Sequence, residues 1–499
     1  MTKLISSIFS IKKNFLTFLI TINFLIHFPF MNLPPCSIHV WRQCNTLAVA
    51  RNFSEESMNI LQPRVDRRNV TNGVTGMQFP AYEYVCACVY KITGEHFYVA
   101  RIISLLLFSL SIWFIYELVI IIAASHWAGV FAAWSFCWCP ELFYHSINAL
   151  PDIMALACAL NGLLCFLKWD RLQENKFYWC SLSLITLAGL IKLQYLMFGG
   201  IIAVIVLRNI FEKKYTPSKL VLIAALAIVS IGVTISWYMY ALSLIESSNL
   251  RDFGIELRPA QSSEQALKIL KDNLLSDLPE LLLNYAGTVL FILGIVSFFI
   301  HKKWKHWFFI PLLLLSLIYI AYHFIELGQV DVHHYYMLPG VLVLVIIMSY
   351  GAKYLWDKKL TALLVLIMFA QPVLACIRIL PARWIRKDKA VPVELFDEQM
   401  RIKLIKAVPD DALCLAGPDN SGCIYFYYLN KKGFGYESTD GLEKKTGNEE
   451  TVYLKQCIQL GAKYIYTSDS SFFQNQTFQP ILGKQIKQVG NFRVIELKR

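Results

Sequence analysis

The sequence predicts a mainly α-helical polytopic membrane protein, with about eleven transmembrane helices, a large first outer loop and a small carboxy-terminal α/β soluble domain. Three observations predict it. Hydrophobic residues make up 56% of the 499 positions and charged residues only 16%, against roughly 25% charged in soluble proteins. Apolar runs of bilayer length recur as far as about residue 380, and lysine and arginine gather in alternate loops between them. Beyond about 381 the runs become short and alternate with turn residues.

The first run, roughly 14–31, follows Lys3, Lys12 and Lys13, which places the amino terminus in the cytoplasm. It ends in Phe30-Met31-Asn32-Leu33-Pro34-Pro35 without a small-residue cleavage site, so an anchor is favoured over a signal peptide. Further runs fall near 97–120, 124–139, 151–168, 177–191, 194–208, 219–241, 283–300, 306–324, 336–352 and 360–378. The basic groups Arg171 and Lys176, Arg208 to Lys219, Lys302 to Lys305 and Lys353 to Lys359 then fall in loops that counting makes cytoplasmic. An odd number of spans puts the tail outside. The expected domains are 1–380, including a first outer loop at 32–96, and an extracytoplasmic domain at 381–499.

The tail carries apolar segments at Ala412–Ala416, Ile424–Leu429, Val452–Leu460, Lys463–Tyr466 and Phe492–Leu497, separated by turns such as Pro418-Asp419-Asn420-Ser421-Gly422. That pattern suits a small α/β module. It has no Gly-rich phosphate loop, so an accessory role is expected.

Charge and cysteine exclude other classes. A net charge of +12 comes without a basic tract or nucleic-acid-binding module, so no nucleic-acid partner is expected. Of the thirteen cysteines, most lie in or beside apolar runs, where the residue behaves as a small hydrophobe. Cys86-Ala-Cys88 and Cys137-Trp-Cys139 have the wrong spacing for common zinc or redox motifs.

The first outer loop is richer than an anchor needs. It reads His39-Val40-Trp41-Arg42-Gln43-Cys44-Asn45-Thr46, then Ala50-Arg51-Asn52-Phe53, and closes with Gln78-Phe79-Pro80-Ala81-Tyr82-Glu83. On the same predicted face lie Pro151-Asp152, Lys192 with Gln194, and His333-His334-Tyr335-Tyr336. Ionisable groups near membrane depth are costly unless paired or wet, which makes them functional candidates. Bland readings stand beside each one. Asp152 suits an exposed helix cap, Lys192 could snorkel to headgroups, and the histidines with their tyrosines could form an interfacial belt.

These stretches carry a resemblance. The first loop, Pro151-Asp152, His334-Tyr335-Tyr336 and the Gly461-Ala462-Lys463-Tyr464 turn resemble the GT-C superfamily of membrane glycosyltransferases, in the bacterial branch near the protein mannosyltransferases and lipid A aminoarabinose transferases. The resemblance implies transfer of a sugar from a polyprenyl-phosphate carrier to an extracytoplasmic lipid, glycan or protein acceptor, in a bacterial inner membrane. It also implies an acidic residue in the first outer loop. This chain has Asn45 and Gln78 at the two positions where that branch carries carboxylates.

Amides accept no proton at neutral pH, so a base must come from elsewhere among Asp152, His39, Glu83 and Glu141. Asp152 is the first choice and His39 the second. A departing polyprenyl phosphate calls for cations, which points to Arg42 and Arg51, with Lys192, His334 and Tyr335 in support. Trp41, Gln43, Asn45, Gln78, Tyr82 and Glu83 are expected to line the substrate. Tyr84 and Tyr90 are further aromatic candidates, whereas Arg64, Arg67 and Arg68 read as a solvated or headgroup-facing cluster. No acidic pair has divalent-metal spacing, so no cofactor is expected and a metal requirement is unsupported. A lipid-linked glycan flippase, or a polymerase or ligase acting on such glycans, remains the alternative. Against a transporter stands the lack of an inverted repeat in the sequence.

Overall fold

The structure is a computed structural model describing residues 2–69, 71–253, 255, 257–385, 391–437 and 452–498, with side chains from 14 onward. The side chains of Lys3, Lys12 and Lys13 therefore lie outside the described residues. Every one of the predicted apolar runs lies on a helix. In chain order the first ten main helices are α1 (Thr2–His27), α2 (Val40–Glu55), α3 (Ala81–Thr93), α4 (Phe97–Ala123), α5 (His126–Cys137), α6 (Pro140–His145), α7 (Asp152–Leu172), α8 (Asn175–Ile191), α9 (Phe198–Phe211) and α10 (Pro217–Ser248). Later come Tyr285–Ile300, Phe309–Ile325, Val341–Asp357 and Thr361–Ile379.

Length separates these helices into two groups. Among the described residues, six helical stretches are long and apolar enough to cross a bilayer: Phe97–Ala123, Asp152–Leu172, Leu193–Phe211, Pro217–Ser248, His334–Asp357 and Thr361–Ile385. A seventh arises if Ser263–Leu282 and Tyr285–Ile300, bent by 105°, form one broken span, and Asn14–Phe30 and Phe309–Ile325 are shorter apolar helices. The protein is an integral membrane protein.

The chain divides into two compact units. The first comprises Met1–Asn32, Ala100–Met239 and Gly254–Ile385. Within it α7 and α8 form a hairpin turned by Gln173, whose left-handed φ of 59° ends α7. The hairpin is tight at Gly162, where an added Cβ would lie 2.8 Å from Ile185 Cγ1 and 3.2 Å from the Ile185 backbone nitrogen. A small residue is what permits that approach in a membrane.

The second unit comprises Leu33–Val99, Tyr240–Phe253 and Arg386–Arg499. Its sheet is formed by β1 (Leu413–Gly417), β2 (Lys432–Gly435), β3 (Tyr464–Thr467), β4 (Leu482–Val489) and β5 (Phe492–Leu497), in the order β2-β1-β3-β5-β4. β1 pairs in parallel with β2 and β3, and β5 runs antiparallel to β3 and β4. The α/β module expected from the tail is thus present, with helices Ile424–Leu429 and Val452–Gln459 where its apolar segments placed them. One core gathers Leu415, Phe434, Leu454, Ile465 and Phe472.

The first outer loop belongs to this same unit. Its residues 66–68 pair with the edge strand β2: Gly433 N–H donates to Asp66 O (3.1 Å) and Arg68 N–H to Gly433 O (2.6 Å). An edge strand otherwise exposes unpaired backbone groups, so the loop closes it. Gly433 makes this possible, because with φ at 152° an added Cβ would sit 1.8 Å from Cys414 O. A second core joins Val49, Phe53, Val65, Met77 and Ala87 of the loop to Leu250 and Phe253. Those last two follow α10, which stops at Asn249, left-handed at φ 54°.

Candidate functional site

In the first unit the sequence candidates meet at the open end of the α7–α8 hairpin. Asp152 begins α7, where the helix dipole favours a carboxylate. Lys192 directly follows α8 in an extended conformation, before a 3-10 turn at Leu193–Met197 leads into α9. The hairpin therefore brings both charges to one level. Lys192 Nζ lies 3.3 Å from Asp152 Oδ1, with the two side chains 7% and 0% exposed. Neither the exposed cap nor the snorkelling lysine survives that burial.

The pair is loosely held. Neither carboxylate oxygen of Asp152 has a hydrogen-bond partner of good geometry among the described residues, so the contact is purely ionic. The Lys192 ammonium also stands over the rings of Tyr335 (5.3 Å) and Tyr336 (5.1 Å), a favourable cation–π arrangement. His333 stacks on Tyr335 at 5.3 Å, and Tyr335 meets His145 edge-on at 5.5 Å. His145 Nε2 is 2.9 Å from Glu141, both buried. Burial opposes ionisation of Glu141, but His145, His334 and Arg383 outweigh it and hold its carboxyl below the usual range. Glu141 is thereby a poor proton acceptor. His334 stays partly exposed, 3.9 Å from Asp277.

In the second unit the remaining candidates line up along α2. His39 is buried at the position preceding the helix. Arg42 is buried with its guanidinium 4.6 Å over Phe253. Gln43 donates to Cys36 O (2.9 Å), and Asn45 donates to the Asp252 carbonyl (3.2 Å). Trp41 is partly buried, and its carbonyl takes the Cys423 thiol at 3.2 Å. Gln78, Tyr82, Glu83 and Tyr90 are buried, whereas Tyr84 is partly buried and packs edge-on to Phe53.

Arg51 is committed elsewhere than sequence reasoning expected. Its Nη2 donates to Asp66 Oδ2 (2.6 Å), its Nη1 to Tyr427 O (3.2 Å), and its Cζ stands 5.1 Å over the Tyr427 ring. Asp66 Oδ1 is taken by Asn52 at 3.1 Å. Burial disfavours the charged guanidinium, yet Asp66 and Glu95 overcome this and raise its pKa. A phosphate could engage that fork only by displacing Asp66.

The cluster at 64–68 is not the solvated patch it resembles in sequence. Arg68 is 4% exposed and bonds Glu56 at 2.5 Å, while Arg67 pairs with Asp252 at 3.1 Å. Glu56, twelve residues before Arg68, and Asp252, far along the chain, neutralise them. Sequence reasoning singled out neither Asp66 nor Asp252, because an acidic residue in a loop carries no local mark of the cation it will meet in the fold. The cue available was a run of three arginines with an embedded aspartate, which rarely stays unpaired when buried.

Comparison with known proteins adds the family context. Residues 78–237 match the model of the dolichyl-phosphate-mannose-protein mannosyltransferase family. No curated protein sequence matches. The chain superposes on the apo structure of ArnT from Cupriavidus metallidurans with a TM-score of 0.63, at 11% identity over 97% of this chain and 98% of that one. The chain has the GT-C fold. ArnT from the same organism bound to undecaprenyl phosphate gives a TM-score of 0.64 at 10% identity, covering 96% of this chain and 97% of that one. The GT-C likeness extends to the archaeal oligosaccharyltransferase AglB from Archaeoglobus fulgidus, solved with an inhibitory peptide and a dolichol-phosphate. There the TM-score is 0.57 at 13% identity, covering 91% of this chain and 69% of that one.

Proposed function

We propose that this protein is an integral membrane glycosyltransferase that moves a sugar from a polyprenyl-phosphate carrier to an extracytoplasmic acceptor. The observation that carries the reading is the buried Asp152–Lys192 pair, whose carboxylate is ion-paired but not hydrogen-bonded, within a GT-C fold. The family match at 78–237, and solved neighbours that hold undecaprenyl phosphate or dolichol-phosphate, support the donor class.

In this mechanism Lys192, steadied by Tyr335 and Tyr336, holds the phosphate and meets the negative charge that grows on the leaving oxygen. Asp152 accepts the proton of the incoming acceptor group as the new glycosidic bond forms. The carrier departs as polyprenyl phosphate with the electron pair of the broken bond. Arg42 and His334 assist with donor binding, and His39 is the second choice for the proton. Arg51 stays in the scheme only as the tie that shapes the first loop. The membrane is a bacterial inner membrane, with the amino terminus cytoplasmic and the tail periplasmic.

The test is direct. Full-length protein in lipid nanodiscs is incubated with a panel of polyprenyl-phosphate sugars, and release of polyprenyl phosphate together with glycosylated product is followed. Turnover of at least one donor is expected. Specific donor binding with no turnover of any donor overturns the proposal in favour of a flippase.

A further inference from the structure

Resting on the transferase reading, we infer that Asp252 forms a subsite that binds a hydroxyl group of the acceptor. Three stretches of the second unit converge on it. Asn45 of α2 donates to its carbonyl at 3.2 Å, Arg67 of the first loop pairs with its Oδ1 at 3.1 Å, Phe253 beside it carries Arg42, and Cys423 of the carboxy-terminal module lies within electrostatic reach. The Asp252 side chain is only 5% exposed, yet its second oxygen, Oδ2, has no hydrogen-bond partner among the described residues.

A buried carboxylate oxygen left unsatisfied costs free energy, and a donor supplied by a ligand removes that cost. The matching chemistry is an O–H group. Arg67 beside it is 32% exposed, so the pair reaches solvent through the guanidinium. Asn45 fixes the Asp252 main chain through its carbonyl, while Arg67 takes one carboxylate oxygen and leaves the other for the ligand. The charged groups around Asp252 are Arg67, which stabilises its anion, and Asp66, which opposes it. Burial outweighs Arg67 and raises the carboxyl above the usual range. Acceptor binding therefore weakens as acid protonates Asp252, and does so at higher pH than for an ordinary aspartate.

The experiment measures donor and acceptor KM separately in nanodiscs, with a polyprenyl-phosphate hexose as donor and a synthetic alkyl disaccharide, with its single-deoxy analogues, as acceptor. Asp252→Asn is expected to raise acceptor KM about 10- to 100-fold, as for loss of a charged hydrogen bond, with donor KM unchanged. One deoxy analogue should lose affinity for the unaltered protein but lose nothing further with Asp252→Asn. Asp252→Glu should recover part of the affinity. Arg67→Gln removes the stabilising cation and should move the acidic limb of acceptor binding to higher pH. Unchanged acceptor KM in a folded Asp252→Asn protein overturns the subsite and leaves the transferase reading standing. Equal penalties for every deoxy analogue in both proteins overturn it too. No turnover by the unaltered protein removes both.

Discussion

Two buried ion pairs, one in each unit, are built to opposite specifications. Asp66 is fully engaged: its two carboxylate oxygens accept hydrogen bonds from Arg51 and Asn52, and the Arg51 guanidinium donates onward to Tyr427 O. Asp152 and Lys192 touch at 3.3 Å, and the carboxylate keeps its lone pairs uncommitted among the described residues. A carboxylate held by two donors is rigid, whereas a loose contact leaves groups poised for a visitor. Under the proposed function, the same two residue types, acid and base, serve architecture in one unit and chemistry in the other.

Mutation can break that contrast. The largest effect should come from Asp152→Asn, which is expected to slow transfer about 100- to 10,000-fold, the range of a lost general base, measured as turnover in nanodiscs. Normal turnover would remove Asp152 from the chemistry. Arg51→Ala should do the reverse. It is expected to cost about 3–5 kcal/mol of stability by stranding Asp66, seen as a lowered unfolding midpoint, and Arg51→Ala with a normal midpoint would show that the network is not structural.

Smaller changes sharpen it. Lys192→Gln should weaken binding of undecaprenyl phosphate by about 1.5–3 kcal/mol, as for loss of a charged hydrogen bond, measured by titration into nanodiscs. Unaltered binding would move the phosphate to another cation. The least effect is expected from Arg42→Ala, where loss of the stacking on Phe253 costs about 0.5–2 kcal/mol and donor KM rises more than acceptor KM. An effect confined to the acceptor would reassign Arg42.

Much of the fold was legible because bilayer thickness dictates run length and turn residues punctuate the tail. The helices at 97–123 and 152–172, and strands β1, β3 and β5, fall where hydropathy and β-propensity put them. α10 was underestimated: the apolar run ends near 241, yet the helix continues through Ala241-Leu242-Ser243-Leu244-Ile245-Glu246, in which Ala, Leu and Glu are good helix formers, to Ser248. Hydropathy reports a membrane boundary, and helix propensity does not stop there. Of the site, Asp152 and Lys192 could be placed on one face but not paired, since pairing depends on the length and packing of the intervening hairpin. Asp252 was illegible because its partners, Arg67 and Asn45, are about two hundred residues away.

The tight spot at Gly162 makes the α7–α8 hairpin a pair of tweezers. Asp152 and Lys192 are its two tips, and Gly162 sits about 15 Å down one arm at 1.5 Å per residue. A leucine wedged there against Ile185 would pry the tips apart. The gap between the two charges could then be tuned from a distance, without altering either of them.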